Sequence, residues 1–285
     1  MESGRYQADV TGPAGAPAGT HGLPSVVRLP GRERDQVRDD HNGFVTALAV
    51  RARRLAGRSV PPSWLDQLEA CRTGPAGFGF WPAGERPSWA PDVGGDVDDT
   101  AIMTLELWHA GRLSDRAAIR ISCLGVAAHR VVRPRQPGPA WIVPGAFATW
   151  HRKVGGGQLV DCTVGANALA LLATMGLLRL PGCAETVTTI ERAVAWAGTS
   201  AWRAAAMTPF YSSALEFSLA LRHAVSAGCL PLGSVAELAD GLAASWGVAD
   251  PAAPNAVVCS SPYATTTWHS PALQADRAAS ALPPG

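Results

Sequence analysis

The sequence carries no excess charge of either sign: 24 Lys and Arg against 23 Asp and Glu leave a formal net charge of +1. No basic stripe offers the footprint that nucleic acid or an acidic polymer needs. An apolar run of bilayer-spanning length is lacking, as is a secretory leader. The six cysteines, Cys71, Cys123, Cys162, Cys183, Cys229 and Cys259, form no Cys-x-x-Cys pair, so they read as reduced thiols of a cytoplasmic protein. Gly155-Gly156-Gly157 has neither the flanking strand and helix nor the Lys of a phosphate loop, and reads as a connector. A Ser-His-Asp order and a metalloprotease His pair are also missing. Strand-like alternation is absent throughout, and the expected fold class is all-α.

What is present suffices for a core: 285 residues, 47% of them hydrophobic, fit one sizeable domain, expected over residues 41–285. Residues 1–40 are rich in Gly, Pro, Ala and charge, with Arg28, Arg32, Glu33, Arg34, Asp35, Arg38, Asp39 and Asp40 crowded at their end. Such a segment has little to bury and is expected to be disordered. Beyond it, apolar spacing predicts helices over 42–55, around Trp64 to Leu68, over 97–111, 115–132, 160–178, 184–197, 211–227, 234–246 and 263–280. Ser234 and Glu237 make a capping box, and Pro271 interrupts the last helix. Residues 74–95, and the stretch with Trp141, Phe147, Trp150 and His151 that follows the Pro-rich break at 134–139, lack a period and read as structured loops.

The costliest stretch is Gly94-Gly95-Asp96-Val97-Asp98-Asp99-Thr100-Ala101, three carboxylates in four positions leading into an apolar helix. With Ala101, Ile102, Leu105 and Trp108 as the inward stripe, Asp98 shares that face, while Asp99 aligns with Met103 and Glu106 nearer the flank. Crowded carboxylates repel when ionised and a dry setting disfavours charge, so one of them can keep its proton near neutral pH. Aimed into an apolar cavity, such a group is a Brønsted acid. The plainer reading makes Asp96 an N-cap with favourable acids in the first turn.

Asp96-Val97-Asp98-Asp99-Thr100-Ala101 resembles, without a mismatch, the DxDDTA motif of class II terpene cyclases, the squalene-hopene cyclase group. Gly77-Phe78-Gly79-Phe80-Trp81 is similar to that family's aromatic, Gly-rich repeats, with an incomplete Gln and Trp signature. The resemblance spans residues 74–111. It implies an α/α barrel of alternating inner and outer helices, in which Asp98 protonates a C=C bond or epoxide of a linear isoprenoid or meroterpenoid and Asp96 and Asp99 support it. Phe80, Trp81 and Trp89, near the acid in sequence, and Asn167 and Tyr211, from other helices, are the candidate substrate contacts, aromatic faces being suited to cations. The resemblance also implies a His or Asn that holds the acidic proton, for which His151, His223 and Asn167 are candidates.

A weak repeat accompanies the motif. Segments beginning at Asp98, Asp161, Tyr211 and Ala264 each open a helix at a spacing of about 50 to 65 residues, which would bring helix N-termini together at one mouth. About nine or ten helices can be counted, fewer than a closed ring of six pairs, so the barrel is expected to be incomplete or partly open. Protonation requires no cofactor; Mg²⁺ becomes useful only if the substrate carries a diphosphate, and the DDxxD motif of class I terpene synthases is absent. Family members usually carry a second helical domain for which this chain has no room. That favours a short substrate, or a homo-oligomer or partner subunit completing the pocket, and an isoprenoid substrate implies peripheral membrane contact.

Two rival readings stand beside this one. A catalytically silent barrel could bind an isoprenoid or a protein, keeping the motif as a cap. A zinc-dependent protein prenyltransferase-like subunit would use Asp161, Cys162 and His269, although adjacent Asp and Cys side chains diverge on a helix. His109, His129, His151 and His223 read as surface or satisfied core residues, and Glu216 shares a helix face with His223.

Overall fold

The computed structural model describes residues 22–31, 34–133, 138–151, 159–248, 250, 253 and 255–281. The disorder expected of residues 1–21, the centre of the break at 134–137 and the Gly155-Gly156-Gly157 connector lie outside the described residues.

Strands β1 (Ser25–Leu29) and β2 (Gln36–Asp40) come first, then helices α1 (Gly43–Leu55) and α2 (Pro62–Ala70). Three short strands, β3 (Arg72–Gly74), β4 (Gly77–Gly79) and β5 (Gly95–Asp96), lead into α3 (Val97–His109). Helix α4 (Asp115–Ile121) runs on into a π-helical turn, Ser122–Ala127. Then follow α5 (Cys162–Thr174), α6 (Cys183–Ala197), α7 (Ala201–Met207), α8 (Ala214–Ser226), α9 (Gly233–Leu242), strands β6 (Val257–Ser260) and β7 (Thr267–His269), and α10 (Pro271–Ala281).

Two antiparallel sheets overturn the all-α expectation, and with it the α/α barrel; the chain is mixed α and β. The larger sheet has the order β2-β1-β7-β6 and ties the two ends of the chain together, pairing Val26 with His269 and Val27 with Trp268. The smaller, β3-β4-β5, pairs Phe78 with Asp96. Among the described residues no strand exceeds five residues, too short for alternation to stand out against helical spacing. Residues 25–29 and 36–40, placed in the disordered segment by composition, are β1 and β2, with Val27 fully buried.

Local chemistry explains the remaining shifts. Pro271 does not interrupt the last helix but opens it, where its fixed φ is pre-set and no N–H is missed, and Ser270 Oγ accepts from Leu273 N at 3.3 Å. Residues 263–269, expected in that helix, form a turn and β7. Helix α9 receives no side-chain cap because the 3₁₀ turn Leu230–Leu232 runs straight into it, leaving Ser234 inside the helix and the expected capping box unmade. A cap of that kind appears on α6 instead, where Glu185 accepts from Gly182 N at 3.0 Å.

Helices α1, α3, α5 and α8 pack each on the next, and α10 packs on α1. The ion pair of Arg277 with Glu216, 2.7 Å, joins α10 to α8. Helices α2, α6 and α9 lie outside this group, against α1 and α3, α5, and α8 respectively. Every residue of α3 from Val97 to Leu107 and of α5 from Cys162 to Leu172 is buried, as expected of helices enclosed on all sides. Polar groups on those two helices must therefore find partners inside the protein, and following those partners leads to the site.

Candidate functional site

The acidic stretch is positioned by its glycines and by β5. Gly94 turns the chain at φ +68°, and a Cβ on Gly95 would lie 2.7 Å from Thr73 Oγ1 and 3.0 Å from His151 Nδ1, so only glycine fits there. Asp96 then caps α3, its Oδ1 accepting from Asp99 N at 2.7 Å, and Val97 N donates to Thr149 O at 3.0 Å. The cap reading of Asp96 is thus realised, alongside a feature that capping does not need. Asp98 and Asp99, in the first turn of the helix, are both buried, 6% and 1% exposed.

Asp98 accepts two hydrogen bonds: Asn167 Nδ2 of α5 donates to Oδ1 at 2.9 Å, and the Tyr211 hydroxyl, just ahead of α8, donates to Oδ2. Asn167 is held in turn by Arg51 of α1, whose Nη1 donates to Asn167 Oδ1 at 3.0 Å. Arg51 Nε pairs at 2.9 Å with Glu106 of α3, and Glu106 also receives Arg54 at 2.7 Å. A continuous polar chain, Arg54–Glu106–Arg51–Asn167–Asp98–Tyr211, therefore crosses α1, α3 and α5 and ends in the segment before α8. Glu106 is fully buried, so it and Asp99 are interior groups and not flanking ones.

Burial sets the acidity of the cluster. It pushes the Asp98 carboxyl up to about 6, against the opposing pull of the Tyr211 and Asn167 hydrogen bonds and the Arg51 charge. Asp96 rises to about 8 through burial and the neighbouring Asp98 carboxylate. Asp99 rises too, by burial and by its neighbours Asp96 and Asp98. Asp161, the N-cap of α5, is pushed by burial to about 7. Charge is thus disfavoured throughout the cluster, although all four acids sit at helix starts whose dipoles favour the ionised form.

Asn167 and Tyr211 also form part of the wall of a cavity of about 290 Å³. Its apolar lining comes from Phe44, Leu48 and Ala52 of α1 and Leu219 and Ala220 of α8, and its polar lining includes Arg51, Glu216, His223 and Arg277. Asp98 stands directly behind Asn167 and Tyr211. Leu55, which lines the cavity and is 61% exposed, marks the open side at the C-terminal end of α1. The helix starts therefore close the inner end of the cavity, whereas the repeat in the sequence had placed them at its mouth.

Of the aromatic candidates, Tyr211 is on the cavity wall, while Phe80, Trp81 and Trp89 stand one layer back. Phe80 stacks on Phe44 at 5.8 Å, Trp81 meets Phe80 at 4.6 Å, and Trp89 lies 6.2 Å from Trp81. Asp40 anchors this group by accepting from Trp81 Nε1 at 3.0 Å, Trp268 Nε1 at 2.8 Å and Asn42 Nδ2 at 2.9 Å. Among the candidate holders of the acid, Asn167 makes the contact. His151 Nε2 instead bonds to the Gly125 carbonyl at 2.8 Å, and His223 lines the cavity.

Asp161 uses its carboxylate on backbone, accepting from Thr163 N at 2.8 Å and Phe210 N at 3.0 Å, and Cys162 follows it inside α5 while His269 sits on β7. Among the described residues no cluster of three His, Cys, Asp or Glu could hold a metal ion. All six cysteines are free, and no described helix is long and apolar enough to cross a membrane. Sequence reasoning missed Arg51, Glu106 and Arg277. Arg51 and Glu106 stand on buried helix faces among apolar neighbours, which is the signal that could have singled them out. No protein-family model, curated protein or solved structure matches this chain.

Proposed function

We propose that this protein initiates cyclisation of a short linear isoprenoid or meroterpenoid by protonation, in the manner of class II terpene cyclases, with Asp98 as the Brønsted acid. One observation carries the reading: a buried carboxyl with a raised pKa stands behind a largely apolar cavity, held by two residues that are themselves its wall. Asn167 donates to Oδ1, so in the protonated acid the proton resides on Oδ2 and is donated to the Tyr211 oxygen, the reverse of the bond that the hydroxyl makes to the carboxylate. Tyr211 passes its hydroxyl proton to the alkene as it receives the Asp98 proton. The phenol is never ionised, the alkene becomes a carbocation, and Asp98 becomes a carboxylate that Arg51 stabilises through Asn167. Asp96 supports the acid by capping the helix that carries it, and Asp99 stands buried beside both.

The apolar walls exclude water from the cation, and the faces of Phe44 and Tyr211 offer cation-π stabilisation of about 0.5 to 2 kcal/mol each. A cavity of about 290 Å³ is at the small end of ligand sites, which favours a short prenyl chain. The step needs no cofactor. A cytoplasmic setting, and contact with a membrane surface that supplies an apolar substrate, belong to the same proposal. The test is incubation with geranyl, farnesyl and geranylgeranyl substrates, product analysis by gas chromatography, and the Asp98→Asn variant in parallel; product formation unaffected by that change would remove the acid from its role.

A silent isoprenoid-binding protein is the second reading, favoured by the position of Asp98 behind the cavity wall and not on it. In the same incubation it predicts thermal stabilisation by the prenyl compound with no new product.

A further inference from the structure

Two buried groups on the cavity wall keep polar atoms that the protonation chemistry does not use. Arg51, 8% exposed, uses Nε and Nη1 on Glu106 and Asn167, but its Nη2 has no hydrogen-bond partner. His223 of α8, also 8% exposed and on the same cavity, has a partner for neither ring nitrogen. Buried donors without acceptors are costly unless a ligand supplies the acceptor. The charges on these walls do not cancel either. Arg277 and Glu216 pair off across two hydrogen bonds, but Arg51 and Arg54 share Glu106 alone, which leaves one positive charge while Asp98 holds its proton.

The geometry points to a carboxylate site formed by Arg51 and His223, so that the substrate is a short isoprenoid acid, bound head group toward the open side and tail toward Tyr211. One negative charge matches the one left over, whereas a diphosphate brings more. His223 is neutral, since burial and the charges of Arg51 and Arg54 hold its pKa down to about 2, so it contributes one N–H and no second cation. Both residues stand in the third turn of their helices, between Phe44 and Tyr211 at the helix starts and exposed Leu55. The head group on Arg51 would also offset the cationic charge that, through Asn167, favours ionised Asp98, so binding would favour the protonated acid. That the tail is a polyene rests on the cyclase reading; the carboxylate site does not.

Calorimetric titration of the full chain with geranate, geraniol and geranyl diphosphate tests the inference. Geranate is expected to bind at least tenfold more tightly than either of the others. His223→Leu should lose about tenfold in geranate affinity with geraniol unaffected, and His223→Gln, which keeps an N–H donor, should retain most of it. Equal affinity for acid and alcohol, tighter binding of the diphosphate, or no binding of any probe overturns the site. Geranate and saturated decanoate bound alike, with no cyclised product, uphold the site and remove the cyclase reading. Cyclised geraniol without preference for the acid does the reverse.

Discussion

Tyr211 donates its hydroxyl to Asp98 across 113 positions of sequence, from the segment before α8 to the first turn of α3. If the phenol relays the proton, Tyr211→Phe removes the path but leaves the acid and the aromatic face. We expect kcat to fall about 10²- to 10⁴-fold, the range of a general acid step, with KM little changed, while Asp98→Asn abolishes turnover. Steady-state kinetics on the substrate that is cyclised separates the two; a Tyr211→Phe enzyme with normal kcat would return the proton transfer to Asp98 alone.

The same acid gives a pH signature independent of substrate. Its folded pKa of about 6 lies above the ordinary 3.8, so the folded state holds the proton more tightly. The resulting stability is complete below about pH 4 and is lost as pH rises through 6. The amide of Asp98→Asn does not titrate and carries no such contribution, so the stability of this variant relative to wild type should grow by about 2 kcal/mol between pH 4 and 8. His223, with a depressed pKa, acts in the opposite direction in both proteins, which is why the difference between two urea-unfolding series is the quantity to read. A difference that stays flat across this range contradicts the raised acid.

Glu106 is fully buried between two guanidinium groups. Burial pushes its pKa up, but the Arg51 and Arg54 charges prevail and hold it below the ordinary 4.5. Glu106→Gln would leave those arginines facing a neutral amide in the interior, and we expect a loss of about 3 to 5 kcal/mol in folding stability. Thermal unfolding of the variant beside Asp98→Asn checks this, since only the former breaks an ion pair.

Asp40, at the end of β2, takes hydrogen bonds from Trp81, Trp268 and Asn42. Asp40→Ala strands two indole N–H groups, each costing about 1 to 3 kcal/mol when left unsatisfied, and leaves the Asn42 amide with its bond to Ser25 Oγ alone. Lower stability in urea and a shifted tryptophan emission are the expected outcomes. A variant as stable as wild type would mean that water serves these donors equally well.

The helices were legible wherever a run was long enough to show its period. The expected 42–55 and the observed Gly43–Leu55 nearly coincide, and α6 agrees with its expected range at the same level. Helix α7, seven residues long, was missed because two turns give periodicity too little room. Both sheets were missed because their strands are short and, in the larger sheet, because β1 finds β7 only at the far end of the chain. Arg28, Arg38 and Asp39 made residues 25–40 look unfit for burial, yet β2 keeps its charged side chains exposed and buries only Asp40. Composition averages over both faces of a strand; pairing uses them separately.

For the site, sequence alone set Asp98 on the inward face of the helix expected over 97–111 and offered Asp96 as its cap in the plainer of two readings, because capping and helix phase are settled within a few residues. Only the tertiary structure decided what that acid touches. Asn167 and Tyr211 lie 69 and 113 positions away, and Arg51 reaches the acid through Asn167 only because α1, α3 and α5 pack side by side. Such meetings depend on how whole helices stack and on a sheet that joins the chain ends, and no local pattern of residues records them.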